Sequence, residues 1–206
     1  MRCWVLASFL LLGSFIFAEQ GLADENSYVE AHNFSLTDVR TRESVSLASF
    51  RGKVVLLDFW ATWCEPCEAT IPILQEVDKS FSSDQFQLIS IDVQWEKGES
   101  EATILNFIDT REMNWLVVKD TENNTATIGY GVEVIPTFFL IDKTGRIRKE
   151  YQGARITAKE LEDQINSLLK EEGEFPATVI LIIVIVSFLG LVIFFKVLLP
   201  VIRKEE

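Results

Sequence analysis

The chain has 206 residues, of which 48% are hydrophobic and 24% are charged, so it is not collagen-like, disordered or a fully polar repeat protein. It carries 31 acidic and 19 basic side chains, which gives a formal net charge of −12. A nucleic-acid partner is not expected, because affinity for a phosphate backbone comes from clustered Lys and Arg. The composition predicts one globular domain with an additional apolar segment near each end.

The N-terminal segment has the layout of a secretory signal peptide. Arg2 precedes an apolar stretch of about 14 residues, and small residues follow up to Ala23. Residues 1–23 are therefore predicted to be a signal peptide that is cleaved after Ala23, with an uncleaved anchor as the alternative. Residues 24–33 are predicted to be a leader linker that connects this segment to the domain.

An uncharged run of 19 residues lies near the C-terminus, from Ala177 to Phe195. Its length and uniformity predict a transmembrane helix over 176–199, preceded by an acidic linker over 170–175. Acidic residues directly precede this run, whereas Lys196, Arg203 and Lys204 follow it, so the positive-inside rule predicts a cytoplasmic tail over 200–206. The chain is thus predicted to be a single-pass protein of the cell membrane, with its domain on the extracytoplasmic side.

The chain contains three cysteines, and Cys3 lies in the segment that is predicted to be removed. A disulfide between Cys64 and Cys67 would close a very short loop and stabilise the fold by only about 2 kcal/mol, so a purely structural role is not favoured. A tetrahedral zinc site needs four ligands, and no second Cys pair or His pair exists, so neither a metal nor another cofactor is expected. Redox chemistry is the predicted role of the pair.

Strands and helices alternate through residues 34–169, which favours an α/β domain with a mixed β-sheet flanked by helices. Asp58 is the anomaly in the first of these strands, which is otherwise apolar. The strands are predicted at 54–60, 86–93, 115–118, 137–141 and 146–151. The helices are predicted at 65–80, with a kink at Pro72, at 100–110, and from a capping box at Thr157 to Leu169.

The sequence Cys64-Glu65-Pro66-Cys67 lies directly between the first predicted strand and the helix that follows. Unpaired backbone N–H groups and the helix dipole favour the thiolate of Cys64 at this position. Cys67 is three residues further on, on the same helical face. Cys64 is therefore predicted to be the attacking nucleophile and Cys67 the resolving thiol.

The segments VVLLDFWATWCEPC and GVEVIPTFFLIDKTGRI resemble the thioredoxin superfamily, and most closely its extracytoplasmic TlpA/ResA-like thiol–disulfide oxidoreductases. The stretch over 34–53 also resembles that branch and the related peroxiredoxins. The resemblance implies a thioredoxin-like fold with an N-terminal strand or hairpin extension and an insertion around 96–115. It also implies protein thiols or disulfides as substrates and a transmembrane thiol transducer as electron donor. Some members reduce apocytochrome c, which suggests a role in cytochrome c maturation.

The resemblance also assigns a carboxylate to the reaction. Asp58 lies six residues before Cys64, where thioredoxins have a buried carboxylate. Burial would raise its pKa and allow it to exchange a proton with Cys67. The alternative is a local hydrogen bond, or an ion pair with Lys79.

Substrate docking is assigned by resemblance to residues around the two cysteines. In thioredoxin-like proteins the proline that matches Pro136 is cis and faces the disulfide, so Ile135 and Pro136 are predicted to contact the substrate. The residues next to the cysteines, Trp63, Glu65 and Pro66, complete the predicted substrate-binding set. Within the insertion, Glu96 and Glu99 are interpreted as solvent-exposed charges, with a place near the active site as the alternative.

Three other functions compete with disulfide reduction. A disulfide-forming oxidase or isomerase would use the same cysteines at a higher potential. A Cu(I) delivery module is disfavoured, because such thioredoxin-folded proteins use C-x-x-x-C with a distal histidine, and no histidine follows Cys67. A thiol peroxidase is disfavoured by Ala61, which stands where peroxiredoxins have threonine.

Overall fold

The computed structural model describes residues 28–95, 98–171, 182 and 184–188. Seven strands form one sheet in the order β2-β1-β5-β4-β3-β6-β7. The strands are β1 (Ser35–Asp38), β2 (Ser44–Ser46), β3 (Val54–Trp60), β4 (Phe86–Asp92), β5 (Leu116–Lys119), β6 (Thr137–Ile141) and β7 (Ile147–Gln152). The helices are α1 (Glu65–Glu68), α2 (Ile71–Ser80), α3 (Glu101–Thr110), α4 (Thr125–Gly129) and α5 (Ala158–Lys170), with a 3-10 turn at Leu47–Phe50.

The interior strand β3 lies between β4 and β6, and every one of its residues is buried. It runs parallel to β4 and antiparallel to β6, so the predicted mixed sheet is confirmed. The helices α2 and α5 pack against each other, and α5 also contacts β3. Because every residue of β3 is buried, neither face of the strand meets water, which explains why it is almost continuously apolar.

The predicted N-terminal extension is a hairpin, in which β1 pairs antiparallel with β2. β1 also pairs antiparallel with β5 and so extends the sheet beyond that strand. The described end of the leader lies on the opposite edge, where the Ile147 N–H donates to the Val29 carbonyl at 2.8 Å and the Ala31 N–H donates to the Gly145 carbonyl at 2.9 Å. Residues that precede β3 therefore pair with the sheet on both sides, next to β5 on one side and next to the start of β7 on the other.

The prediction of one kinked helix over 65–80 is wrong, because the segment forms two helices that are separated at residues 69–70. Pro72 lies in the first turn of α2, where its missing N–H leaves no hydrogen bond unmade. At the junction the Thr70 hydroxyl donates to the Cys67 carbonyl at 2.7 Å. The break leaves α1 as a single turn that carries the cysteines.

The predicted helix starts are confirmed by their caps. The Ser100 hydroxyl accepts a hydrogen bond from the Thr103 N–H, and the Thr157 hydroxyl accepts one from the Glu160 N–H. The short helix α4 is not predicted by the sequence pattern. It is organised by Asp120, whose buried carboxylate accepts hydrogen bonds from the N–H groups of residues 126 and 127.

The ends of the domain meet at Arg148, whose side chain is 17% exposed. Its guanidinium lies 4.2 Å from the centre of the Tyr28 ring and donates to Glu171 Oε1 at 2.9 Å. A further hydrogen bond of 3.3 Å joins it to Asp142 Oδ2. One arginine therefore binds a residue that precedes β1 and a residue that follows α5.

The predicted signal peptide (1–23) and cytoplasmic tail (200–206) lie outside the described residues. The predicted transmembrane helix (176–199) is described only at residues 182 and 184–188, which are helical. Their five large apolar side chains are between 48% and 68% exposed. Across the part of the chain that the structure describes, there is no helix with the length and apolar character needed to span a membrane.

Candidate active site

The two cysteines follow β3 directly and form a disulfide, with a Cα–Cα distance of 5.2 Å. Cys64 is the N-cap of α1, and its Sγ accepts a hydrogen bond from the Cys67 N–H at 3.2 Å. Cys64 is 5% exposed and Cys67 is 2% exposed. The sulfur at the start of the helix is therefore the more accessible of the two.

The predicted substrate-binding residues lie at one end of the sheet. The Ile135–Pro136 peptide bond is cis, as the resemblance implies. It leads into β6, whose Thr137 pairs with Phe59 near the end of β3 that carries the cysteines. Around this end the Trp63 and Val134 side chains are 45% and 48% exposed. Glu65 and Pro66 are exposed in the first turn of α1.

Asp58 lies in the middle of β3 and is 2% exposed. Its Oδ2 accepts a hydrogen bond from the Ser90 hydroxyl at 2.7 Å, whereas no donor within the described residues reaches Oδ1. Burial raises the pKa of Asp58 to about 7. The alternative of an ion pair with Lys79 is wrong, because Lys79 is exposed on α2.

Two residues that hold Asp58 were not identified from the sequence. Ser90 is the β4 partner of Asp58 in the parallel ladder, and its hydroxyl accepts a hydrogen bond from Trp115 Nε1 at 2.8 Å. The three side chains thus form one buried chain of hydrogen bonds. In the sequence, Ser90 is marked only as a polar residue within the strand FQLISID. A serine in a strand is a much weaker sign of a special role than the buried acid Asp58.

The interpretation of Glu99 as a solvent-exposed charge is wrong. Its carboxylate accepts hydrogen bonds from the Thr62 N–H, at 2.9 Å, and from the Thr62 hydroxyl. The N–H and hydroxyl of Thr62, in the loop between β3 and Cys64, need a hydrogen-bond acceptor. Glu99 provides this acceptor, although it lies 37 residues further along the sequence. Glu96 lies outside the described residues.

A second buried carboxyl, Asp92, was also missed. It is 0% exposed at the end of β4, and burial followed by interaction with Glu99 raises its pKa to about 9. The same anomaly that identifies Asp58, an acid in an apolar strand, was present in the sequence at this position. Across the described residues no cluster of three or more side chains could ligate a metal ion.

A mixed sheet, a Cys-x-x-Cys disulfide at the junction of a central strand and a helix, and a cis-proline before β6 define a thioredoxin-fold thiol–disulfide oxidoreductase. The AhpC/TSA family model matches residues 29–150, more than half of the chain. The chain belongs to this family and, within the thioredoxin superfamily, is a TlpA/ResA-like thiol–disulfide oxidoreductase.

Relatives and solved structures agree with this assignment. The chain is 33% identical over 151 residues to the thiol–disulfide oxidoreductase ResA of Bacillus subtilis, covering 73% of this chain and 79% of the relative. It is 32% identical over 139 residues to ResA of Bacillus thuringiensis, covering 68% and 76%. The crystal structure of a putative thiol:disulfide interchange protein DsbE from Chlorobium tepidum superposes with a TM-score of 0.61 at 28% identity, covering 69% of this chain and 96% of that one.

Proposed function

We propose that the protein is a membrane-anchored, extracytoplasmic oxidoreductase that reduces protein disulfides. The observation that carries the direction is the acidity of the site. Glu65 is exposed in the first turn of α1, and Asp58 is buried in the strand that precedes it, whereas Glu68 in the same turn is paired with Arg111. Negative charge disfavours the thiolate and so destabilises the reduced form, whereas strong oxidants of this fold stabilise it. An acidic site therefore favours a low reduction potential.

The proposed reaction transfers two electrons from the dithiol to a client. The Cys64 thiolate attacks a client disulfide, forms a mixed disulfide and releases one client sulfur as a thiolate. The Cys67 thiol then loses its proton and attacks Cys64 Sγ, which breaks the mixed disulfide and releases the second client thiolate. The client is reduced, and the chain is left with the disulfide seen in the structure.

Asp58 is proposed to accept the proton of Cys67 in the second step. A group with a pKa of about 7 is close to half-ionised at neutral pH, so it can accept this proton and later release it. The Ser90 hydrogen bond occupies only one carboxylate oxygen, and the other has no donor within the described residues. That second oxygen is available to carry the proton.

The client is proposed to dock on apolar side chains at this end of the sheet, the half-exposed Trp63 and the partly buried Ile135. Trp63 lies before Cys64, and Ile135 lies next to Pro136 at the start of β6. An extended client segment would contact these side chains and the exposed Glu65-Pro66 turn. The disulfide of an apocytochrome c is the client class to test first, on the basis of the resemblance to the TlpA/ResA-like branch.

Each turnover oxidises the dithiol, so a reductive role needs a source of electrons on the same side of the membrane. A transmembrane thiol transducer is the proposed donor, with a dithiol that attacks the Cys64–Cys67 disulfide. Anchoring by residues 176–199 would hold the domain near such a partner. The exposed apolar side chains at residues 182 and 184–188 support this anchoring, because a lipid environment would cover them.

The reduction potential of the full-length chain in detergent micelles tests the direction of the reaction. We expect a value near or below about −270 mV, as in thioredoxin, from equilibration against dithiothreitol buffers with tryptophan fluorescence as the readout. A value near about −120 mV would contradict disulfide reduction and identify a disulfide-forming catalyst.

Trapping tests the roles of the two sulfurs. In the Cys67→Ser variant the mixed disulfide cannot be resolved, so we expect covalent adducts at Cys64 with a peptide that carries an apocytochrome-type C-x-x-C-H disulfide. The matched Cys64→Ser variant should form no such adduct. Equal trapping by the two variants would show that the nucleophile is assigned incorrectly.

A further inference from the structure

The loop that precedes the active site is held by a single carboxylate. Cys64 donates its N–H to the Ala61 carbonyl at 3.1 Å, which closes a turn around Thr62 and Trp63. Both donors of Thr62, its N–H and its hydroxyl, bind the two carboxylate oxygens of Glu99. A bidentate contact to a charged acceptor is stronger and more directional than a neutral hydrogen bond. Glu99 therefore fixes the position of the loop two residues before the attacking sulfur.

A second buried carboxyl group, that of Asp92, lies beside Glu99. The Asp92 Oδ1 accepts a hydrogen bond from the Gln94 amide, whereas no donor within the described residues reaches its buried Oδ2. Burial, followed by the neighbouring Glu99, raises the pKa of Asp92 to about 9. Asp92 is therefore protonated at neutral pH and adds no negative charge beside Glu99.

The groups around Asp92 are few. Glu99 and Gln94 face it from the segment that follows β4, and Lys119 faces it from β5 as its partner in the parallel ladder. Lys119 acts in the opposite direction and lowers the pKa, but by less than burial and Glu99 raise it. Asp92 therefore loses its proton only in alkaline solution.

The same segment contacts the loop a second time. Trp95 packs against Trp63, with the ring centres 6.4 Å apart. Its neighbour Gln94 is fixed through its backbone, because Asn124 Oδ1 accepts from the Gln94 N–H at 2.8 Å and Asn124 Nδ2 donates to the Gln94 carbonyl at 2.9 Å. Thr62 and Trp63, the two residues before Cys64, therefore both contact the segment that follows β4. This segment is in turn hydrogen-bonded to Asn124, directly before α4.

We propose that Glu99 is a positioning residue for thiol–disulfide exchange, which holds both donors of Thr62 and so presents Cys64 in the geometry of attack. The proposal applies to exchange in either direction and does not depend on which way electrons flow in the cell. Loss of this contact would leave Thr62 without its acceptor and allow the loop to move, so reacting sulfurs would be aligned less often.

The test uses the full-length chain in detergent micelles, with reduction of its disulfide by dithiothreitol as the reaction. We expect Glu99→Ala to lower the second-order rate constant at pH 7 about tenfold. Glu99→Gln should stay within about threefold of the wild type, because its amide oxygen still accepts from Thr62. If charge alone mattered, the two variants would change the rate equally, and that result would overturn the proposal.

A second pair of variants separates positioning from stability. Thr62→Val removes one of the two donors, and in the double variant with Glu99→Ala it should add nothing to the loss, because the two residues act as one unit. Glu133→Ala removes an exposed acid three residues before Pro136 and should leave the rate unchanged. Additive losses at Thr62 and Glu99, or an equal loss at Glu133, would contradict a positioning contact.

The pH profile remains informative even if Glu99→Ala does not fold. The oxidised chain has no active-site thiol to titrate, so its rate of reduction, divided by the fraction of dithiothreitol thiolate, reports on the site alone. Titration of Asp58 changes this normalised rate near pH 7 in every variant that keeps Asp58. We expect a further fall between pH 8 and 10, as Asp92 ionises beside Glu99 and the two carboxylates repel. In Asp92→Asn, which has no titratable proton at this position, the fall between pH 8 and 10 should be absent. An identical fall in both proteins would overturn the proposal.

Discussion

Two acids in otherwise apolar strands, Asp58 in β3 and Asp92 in β4, determine how this site titrates. Their sequence signal is the same, yet only Asp58 was identified as a site residue, because the family resemblance extends to it. The partners of both acids are remote in the sequence: Ser90 lies 32 residues after Asp58. A sequence pattern predicts that a buried acid needs a partner, but it does not say which of the polar residues on neighbouring strands will supply it.

Replacement of Asp58 by asparagine should raise stability in a pH-dependent way. Because its pKa is raised from 3.8 to about 7, the folded chain binds more protons than the unfolded chain between these values, so stability falls as pH rises through this window. At pH 8 we expect Asp58→Asn to be more stable than the wild type by at most about 4 kcal/mol. At pH 4 there should be no gain, as measured by urea unfolding of the oxidised chain.

Asp142 provides a control of opposite sign. Hydrogen bonds from Thr144, Arg146 and Arg148 outweigh burial and lower its pKa, so its contribution to stability is present above its unfolded pKa and is lost as pH falls. Asp142→Asn should therefore destabilise the chain at pH 8. If both variants changed the free energy of unfolding at pH 8 in the same direction, burial would not be what distinguishes Asp58.

At the scale of the elements, strands and cap residues are predicted well and helix breaks poorly. β3 and β6 are identified by continuous apolar runs, and their observed bounds match the predicted ones. The break between α1 and α2 and the existence of α4 were not predicted. Each involves a hydrogen bond of a single side chain: the Thr70 hydroxyl donates to a backbone carbonyl, and the Asp120 carboxylate accepts from a backbone N–H. Such contacts do not change the apolar periodicity by which a sequence pattern predicts helices.

The cap of α5 offers a test at this scale. Thr157→Ala removes the acceptor for the Glu160 N–H, so we expect a loss of about 1 kcal/mol in the free energy of unfolding. Ser167→Ala, at an exposed position within the same helix, should be neutral or slightly stabilising, since alanine has the higher helix propensity. Equal effects of the two changes on urea unfolding would show that the cap does not stabilise the helix.

At the scale of the whole molecule, the disulfide and the ends of the domain lie at opposite ends of β3. The strand begins where the Gly52 N–H donates to the Lys143 carbonyl and ends where the chain turns toward Cys64. Seven residues of strand separate these ends by roughly 20 Å. The disulfide is therefore separated by the length of a strand from the end of the domain where α5 finishes.

Arg148→Ala tests whether one side chain holds both ends. We expect faster amide hydrogen exchange at residues 28–31, by about tenfold, because the contact with the Tyr28 ring is lost. Exchange near Glu171 should rise as well, while the reduction potential stays the same. Lys149→Ala removes the neighbouring cation, which is 41% exposed in its ion pair with Glu160, and should leave both regions unchanged. Unchanged exchange in Arg148→Ala would contradict this role.

The joining of the two ends at Arg148 also sets the order in which the molecule is completed during synthesis. Tyr28 and Arg148 are 120 residues apart, and Val29 and Ala31 pair with residues at the start of β7. Because a ribosome makes the chain from its N-terminus, the leader is synthesised first and its partners among the last of the domain. Residues 28–31 can therefore pair only after the start of β7 has been made, so this edge of the sheet is completed late, when α5 is still to come.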